Sequence, residues 1–275
     1  MIEQNKPIGL FDSGVGGLTV AHHVMQILPL ENTIYFGDSA RVPYGSKSTE
    51  TVRFYTKQAI NFLERKGVKL IIIACNTASA VALEYASSIA SVPVIGVIEP
   101  GARGAVEAST SGRIGVIGTQ GTVRSEAYQN AITALNPSAE VFAQPCPLLV
   151  GFAEEGLIDH PATELIAREY LQGLLEHSID SLIMGCTHYP ILKPTLSLVA
   201  GPSVRLIDPG FETAKHVQSI LEQQNLLKRD SSPSSHEYYL SDFPHKFVEI
   251  GERFLGSEMN RVEKISLESL NSGKK

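Results

Sequence analysis

The 275-residue chain has no apolar run that could cross a bilayer as a helix. Its longest, Leu70-Ile71-Ile72-Ile73-Ala74-Cys75, has the length of a buried strand, far short of the ~20 residues a spanning helix needs. Positive charge is not in excess either. The 23 Lys and Arg against 29 Asp and Glu leave a net charge of −6, which argues against a nucleic-acid partner, whose docking face is basic. Lys274-Lys275 is a basic cluster too short to hold a phosphate backbone. The cysteines are unpaired in pattern. Cys75, Cys146 and Cys186 are odd in number and none sits in a CxxC motif, so any function they have is chemical and not a crosslink. Residues 1–6 lack the basic-then-apolar pattern of a secretory signal, which predicts a cytoplasmic protein with no membrane partner. No His/Cys/Asp grouping has metal-ligand spacing, and no metal is expected. The run Asp12-Ser13-Gly14-Val15-Gly16-Gly17 lacks full GxGxxG spacing and a later ribose-binding acid, and no Gly-Lys-Ser/Thr follows it. Neither a dinucleotide nor a nucleoside triphosphate is therefore expected as a cofactor.

What is present is a globular pattern. Apolar residues make up 43% and charged residues 19%, which argues against disorder. The length suits one large domain or two of roughly 100–150 residues, each able to bury a core without staples. Ile- and Val-rich runs bounded by Gly and Pro predict strands over residues 8–11, 33–36, 68–74, 92–98, 113–117, 141–144, 179–185 and 204–207. Several are apolar throughout, as parallel strands buried on both faces are. Helical periodicity separates them, over residues 49–66, 122–135, 162–177 and 212–224. Alternating strands and helices predict an α/β fold with mainly parallel, doubly wound sheets and right-handed crossovers. The Ser-rich run 228–235 reads as a surface loop, followed by a short strand over 237–240, a helix over 244–255 and a frayed tail over 271–275.

The chain also resembles itself. Ile8–Ser13 matches Ile114–Thr119 at an offset of 106, 70–75 matches 181–186 at 111, and Val97-Ile98-Glu99-Pro100-Gly101 matches Leu206-Ile207-Asp208-Pro209-Gly210 at 109. Three matches in one order predict two pseudo-symmetric α/β halves. We expect residues 1–98 with 210–275 to form one domain and 99–209 the other. Open α/β sheets bind ligands at the carboxyl ends of their strands, so the turns after these strands should face a shared cleft.

Two of those turns begin with a thiol. Cys75 is followed by Asn76-Thr77, and Cys186 by Thr187-His188-Tyr189-Pro190. A thiol between a strand end and a helix start lies near backbone N–H groups and a positive helix end, which should lower its pKa from roughly 8.5. Matched acid/base groups on opposite sides of a carbon are what racemisation needs, because the product is the mirror image of the substrate and the groups must exchange roles in reverse. Asp12 can assist a thiol, hold an ammonium or cap a helix. Asp12 lies in the Cys75 half and His188 adjoins Cys186, which predicts one helper per thiol. The glycines after Ser13 free N–H groups for an anion at a helix start, and the turn Asp38-Ser39-Ala40-Arg41 presents others to a carboxylate. Thr119 and Thr122 add hydroxyls. Cys146, between Pro145 and Pro147, has no counterpart in the other half and reads as packing. His22-His23 lies on a presumed helix and reads as surface or packing.

At these residues the chain resembles the glutamate racemases of the cofactor-independent aspartate/glutamate racemase family. The matching motifs are Asp12–Gly17, Val42-Pro43-Tyr44-Gly45, Ala74-Cys75-Asn76-Thr77-Ala78, Gly118-Thr119 with Thr122, Glu154-Glu155-Gly156 and Gly185-Cys186-Thr187-His188-Tyr189-Pro190, in order over nearly the whole chain and continuing into 243–255. The resemblance implies interconversion of L- and D-glutamate for peptidoglycan, without a cofactor. It implies Cys75 as the base for D-glutamate and Cys186 as the base for L-glutamate, with Asp12 and His188 as auxiliary groups. Substrate would be held by Asp12, Ser13, Pro43, Tyr44, Gly45, Asn76, Thr77, Thr119, Thr122, Glu154, Thr187 and His188. A homodimer suits this fold. An aspartate racemase is the nearest alternative, and those enzymes typically carry Glu at the position of His188. A non-catalytic amino-acid-binding protein would not need the matched thiols, and a thiol oxidoreductase would need them close in sequence.

Overall fold

A computed structural model describes residues 3–242 and 247–271. The expected helix start at Pro244, the tail after Asn271 and Lys274-Lys275 lie outside the described residues. The first half runs β1 (Ile8–Asp12), α1 (Leu18–Ile27), β2 (Thr33–Gly37), α2 (Thr49–Arg65), β3 (Leu70–Ile73), α3 (Asn76–Ile89), β4 (Val94–Gly96) and α4 (Ile98–Ala108). The second runs β5 (Arg113–Gly118), α5 (Gln120–Arg124), α6 (Ala127–Leu135), β6 (Glu140–Pro145), α7 (Leu148–Glu154), α8 (Pro161–Glu176), β7 (Ser181–Gly185), α9 (Lys193–Ala200) and β8 (Arg205–Ile207). Then come α10 (Pro209–Gln223), β9 (His236–Leu240), α11 (Phe247–Leu255), β10 (Val262–Lys264) and α12 (Leu267–Asn271).

Two parallel sheets result, ordered β10-β9-β2-β1-β3-β4 and β6-β5-β7-β8. Strands β1, β3 and β7 are buried along their whole length, as parallel strands are when helices cover both faces. Without β9 and β10, the two orders are the same. The register agrees as well: Ile8 pairs with Leu70, and Ile114 with Ser181, so the first two sequence matches occupy equivalent rungs.

The third match is displaced. Ile207 pairs with Ile183, and its counterpart on β4 is Ile95, which pairs with Ile72. Ile98, expected to end the strand, opens α4 instead. The shared Pro-Gly belongs to a first helical turn in both halves, where proline has no hydrogen bond to lose. A second expectation also needs correction: residues 122–135 are not one helix. Glu126 takes φ +54, and Ser125 Oγ donates to the Thr122 carbonyl while accepting from the Ala127 amide. That local bonding competes with the helical ladder and divides it into α5 and α6. The expected start and stop of α2 hold, with Ser48 Oγ accepting from the Thr51 amide and Gly67 at φ +76 after its end.

The surface loop after α10 is exposed over 229–233, but its first residue turns inward. The Lys228 amide donates to Glu31, whose other oxygen takes the buried Lys69 ammonium at 2.5 Å. This ties down the chain where it returns to add β9 beside β2. The return then lays α11 over α1, at the mouth of the cleft between the sheets.

Candidate active site

The strand ends of both sheets converge on one cavity of about 180 Å³. Strand β3 delivers Cys75 as the residue capping α3, and β7 delivers Cys186. Both thiols line the cavity. Ser13 after β1 and Thr119 after β5 join them, as do Asn76, Thr77, Thr187 and His188. Pro43, Tyr44, Gly45 and Glu154 complete the expected set on its wall.

Asp12 and Thr122 are not on that wall. Asp12 is wholly buried behind the glycine loop, where one carboxyl oxygen accepts from the Gly14 amide at 2.9 Å and the other has no hydrogen-bond partner among the described residues. Burial raises its pKa, against the pull of the Gly14 bond and the His188 charge. The direct neighbour of Cys75 is not Asp12 but Ser13, whose Oγ accepts from the thiol at 3.5 Å. Thr122 is a buttress: its Oγ1 lies 3.1 Å from Thr119 Oγ1 and 3.4 Å from Thr77 Oγ1, which are themselves 2.9 Å apart across the halves.

Two anion-binding expectations also change. The glycines serve close packing more than free donors. A Cβ on Gly16 would meet Thr187 Oγ1 at 2.3 Å and the His188 ring at 2.5 Å, and one on Gly17 would meet Asp12 Cβ at 2.4 Å. The Gly14 amide is already taken by Asp12. In the turn after β2, the Ala40 amide donates to Ser241 Oγ and the Arg41 amide to the Asp38 carbonyl. Tyr44 Oη also turns away from the cavity, donating to Asp38 at 2.5 Å.

The two thiols have different electrical surroundings. Burial, and then the Asp12 charge, pushes the Cys75 thiol up to about 12, outweighing the Ala78 amide of the helix start. The lowering expected from the helix end does not occur there, because desolvation of a thiolate exceeds what one amide returns. Cys186 Sγ instead lies 3.8 Å from His188 Nδ1, and His188 Nε2 lies 2.9 Å from Glu154 Oε1. Burial alone would depress His188, but its bonds and charges with Cys186 and Glu154 outweigh that and raise it to about 10. The same bond holds Glu154 below its usual range, against burial. Helix α11 braces this pair, with the Phe254 ring edge-on to His188 and Arg253 donating to the Glu154 carbonyl at 3.2 Å. His22 and His23, on α1, pair with the Leu255 carbonyl and Asp208, and neither lines the cavity. Among the described residues no group of three or more His, Cys, Asp or Glu could hold a metal.

Sequence reasoning missed part of the wall: Gly14, Val15, Ser39, Val42, Val150, Phe247 and Ile250. The first four lie inside motifs already singled out, though not named as site residues. Val150, Phe247 and Ile250 carry no local signal, since an apolar helical residue reads as core. Cys146 sits fully buried, its thiol 3.4 Å from the Gln144 carbonyl, and burial raises its pKa. It packs, as expected, away from the cavity wall.

Comparison with known proteins agrees with this geometry. The family described as Asp/Glu/Hydantoin racemase matches residues 19–217. A protein of Geobacter metallireducens named glutamate racemase is 51% identical over 264 residues, covering 96% of this chain and 98% of its own. The glutamate racemase structure from Francisella tularensis, in complex with D-glutamate, superimposes with a TM-score of 0.91 at 43% identity, covering 97% of this chain and 99% of that one. The RacE1 isoform of Bacillus anthracis gives 0.92 at 38% identity, covering 96% and 98%. With matched thiols at equivalent strand ends and similarity along nearly its whole length, the chain belongs to the Asp/Glu/hydantoin racemase family.

Proposed function

We propose that this chain interconverts L- and D-glutamate by two-base proton transfer between Cys75 and Cys186, supplying D-glutamate for peptidoglycan. One observation carries the reading: two thiols from rungs related by the internal repeat line a single small cavity. In one direction the Cys186 thiolate takes the α-proton of L-glutamate, and the Cys75 thiol gives its own proton to the opposite face of the same carbon. D-Glutamate forms and the proton deficit moves from one sulfur to the other. The reverse reaction exchanges the roles. Ser13, Asn76, Thr77, Thr119 and Thr187 surround the substrate with hydrogen-bonding groups, and the His188–Glu154 pair supplies charge beside Cys186. Asp12 acts from behind the wall, through its field on Cys75.

The domains we assign are residues 1–98 with 210–275, carrying one sheet, and 99–209, carrying the other. No helix of the described residues is long and apolar enough to cross a membrane. We place the enzyme in the cytoplasm, with a small-molecule substrate and a homodimeric assembly that sedimentation would test.

Deuterium tests the mechanism. With L-glutamate in D₂O, early D-glutamate should carry deuterium at Cα while the remaining L-glutamate stays protonated, because the proton returned is not the one removed. Mass spectrometry of the separated enantiomers at low conversion reads this. Label entering both pools together would point to a single base and overturn the two-thiol reading. L-Aspartate assayed beside L-glutamate tests the substrate.

A further inference from the structure

Tyr128, on α6, is wholly buried and touches both thiol-bearing turns. Its hydroxyl crosses between the halves and donates to Asn76 Oδ1 at 2.6 Å, next to Cys75. Its ring lies against the backbone that leads into Cys186. A Cβ on Gly185 would meet Tyr128 Cε2 at 3.0 Å, and one on Gly101 would meet Cε1 at 3.3 Å. The ring is thus packed closely against two glycine positions, which sets where its hydroxyl reaches.

The consequence falls on Asn76. An amide has one accepting end and one donating end, and they exchange when it flips. With Oδ1 accepting from Tyr128, the amide directs its NH₂ group elsewhere. Among the described residues Asn76 makes this one side-chain hydrogen bond, so Nδ2 is left for the cavity that Asn76 lines. We propose that Tyr128 is a positioning residue of this racemase: its hydroxyl fixes the Asn76 amide as a donor to a carboxylate of the bound amino acid, and its ring keys that donor to the Cys186 turn of the other half. The proposal rests on the reading that Asn76 holds substrate. It gives the buried tyrosine hydroxyl at the junction of the two halves a task in the site.

The test is a double-mutant cycle of Tyr128→Phe and Asn76→Ala, each assayed in both directions. Tyr128→Phe keeps the ring in its slot and removes only the hydroxyl. We expect a KM raised about fivefold to tenfold for both enantiomers, as loss of one orienting hydrogen bond allows, with kcat changed less than about twofold. Because the equilibrium between enantiomers is fixed at unity, kcat/KM must fall by the same factor in both directions. Asn76→Ala should raise KM at least as much, and the double variant should be no worse than Asn76→Ala alone. A wild-type KM in Tyr128→Phe with an impaired Asn76→Ala would overturn the role of Tyr128 and leave Asn76 as a substrate ligand. A wild-type Asn76→Ala would remove the underlying reading, and the proposal with it. Effects that multiply in the double variant, or a Tyr128→Phe protein that loses its native circular dichroism, would show the hydroxyl serving the fold and would overturn the proposal too.

Discussion

The Cys75 turn and the Cys186 turn occupy the same rung of two equivalent sheets, yet their neighbours have opposite character. Cys75 caps the 14-residue α3 directly, bonds to a neutral hydroxyl on Ser13 and has the buried Asp12 carboxyl behind it. Cys186 enters a turn and then a short 3-10 segment over Tyr189–Leu192, and beside it stands a histidine paired with Glu154. The backbone is duplicated and the side-chain chemistry is not. The substrate imposes the same demand. Its Cα is inverted during the reaction, which calls for matched bases in mirrored places. Its side chain and two carboxyl groups are not mirrored, and a cavity holding both enantiomers has to differ from one wall to the other.

The sharpest way to break this comparison is to remove one thiol at a time. Cys75→Ser and Cys186→Ser should each lose at least the ~10²–10⁴-fold that a positioned acid/base group contributes, since a serine hydroxyl is far too weak an acid and either loss stops the cycle. Both proteins should keep native circular dichroism. Equivalence predicts losses of similar size. A variant retaining a tenth of wild-type turnover would show that its thiol is not one of the two bases.

The next effect is smaller and should be lopsided. His188→Asn removes the charged partner of Cys186 and leaves the Ser13 side untouched, so kcat should fall by about tenfold or more in the direction that starts at Cys186 and less in the other. KM must shift to keep the kcat/KM values in step. Equal changes of kcat in both directions would show that His188 serves the whole cavity. Stability gives an independent readout. His188 is raised from 6.5 to about 10 in the folded chain. Between those values the folded protein holds a proton that the unfolded chain has released, so stability falls as pH rises. This contribution is fully present below about 6.5 and gone above about 10. The melting temperature of the wild type should therefore decline over that window more steeply than that of His188→Asn, and parallel curves would refute the assignment.

Glu154→Gln should act in the same direction and more weakly, lowering kcat by about threefold to tenfold, because it acts through the His188 ring and is itself half-open to solvent. The pKa of His188, read by NMR, should drop toward its usual value. An unchanged histidine titration would mean that the contact at 2.9 Å does not orient or charge the ring.

Much of this arrangement is legible in the sequence. Eight strands were readable because continuous Ile and Val runs end sharply at Gly or Pro, and parallel sheets put chemistry at those ends. The cysteines stood out because each ends such a run. The misreadings share a cause. Val97-Ile98 looks like a strand end, but Pro100 belongs to the helix that follows, and no local pattern says where the strand stops. The fall expected in the Cys75 pKa assumed a solvated thiol, and burial is a property of the assembled fold. The Tyr128–Asn76 bond spans 52 residues and the His188–Glu154 contact 34, so neither leaves a spacing to notice. Helix α11 reaches the cavity only because the chain comes back to add β9.

The smallest effect is expected at the third thiol, and it tests whether position or residue type matters. Cys146 is as buried as the others, and its thiol points at the Gln144 carbonyl, with core residues such as Leu149 and Tyr189 in the same cluster. It follows β6, a strand whose counterpart β2 ends in Gly37 and carries no cysteine. If thiols matter here for being buried and sulfur-rich, Cys146→Ser should hurt turnover as its two siblings do. If they matter for standing at matched rungs around the cavity, it should leave kcat and KM within about twofold while costing stability. The serine hydroxyl can keep the bond to Gln144, so the cost is that of a more polar atom in an apolar site, about 1 kcal/mol or a fall of about 2–4 °C in melting temperature. A Cys146→Ser protein that melts normally and has lost tenfold or more in turnover would place a third sulfur in the reaction, and the two-base pairing of Cys75 with Cys186 would fail.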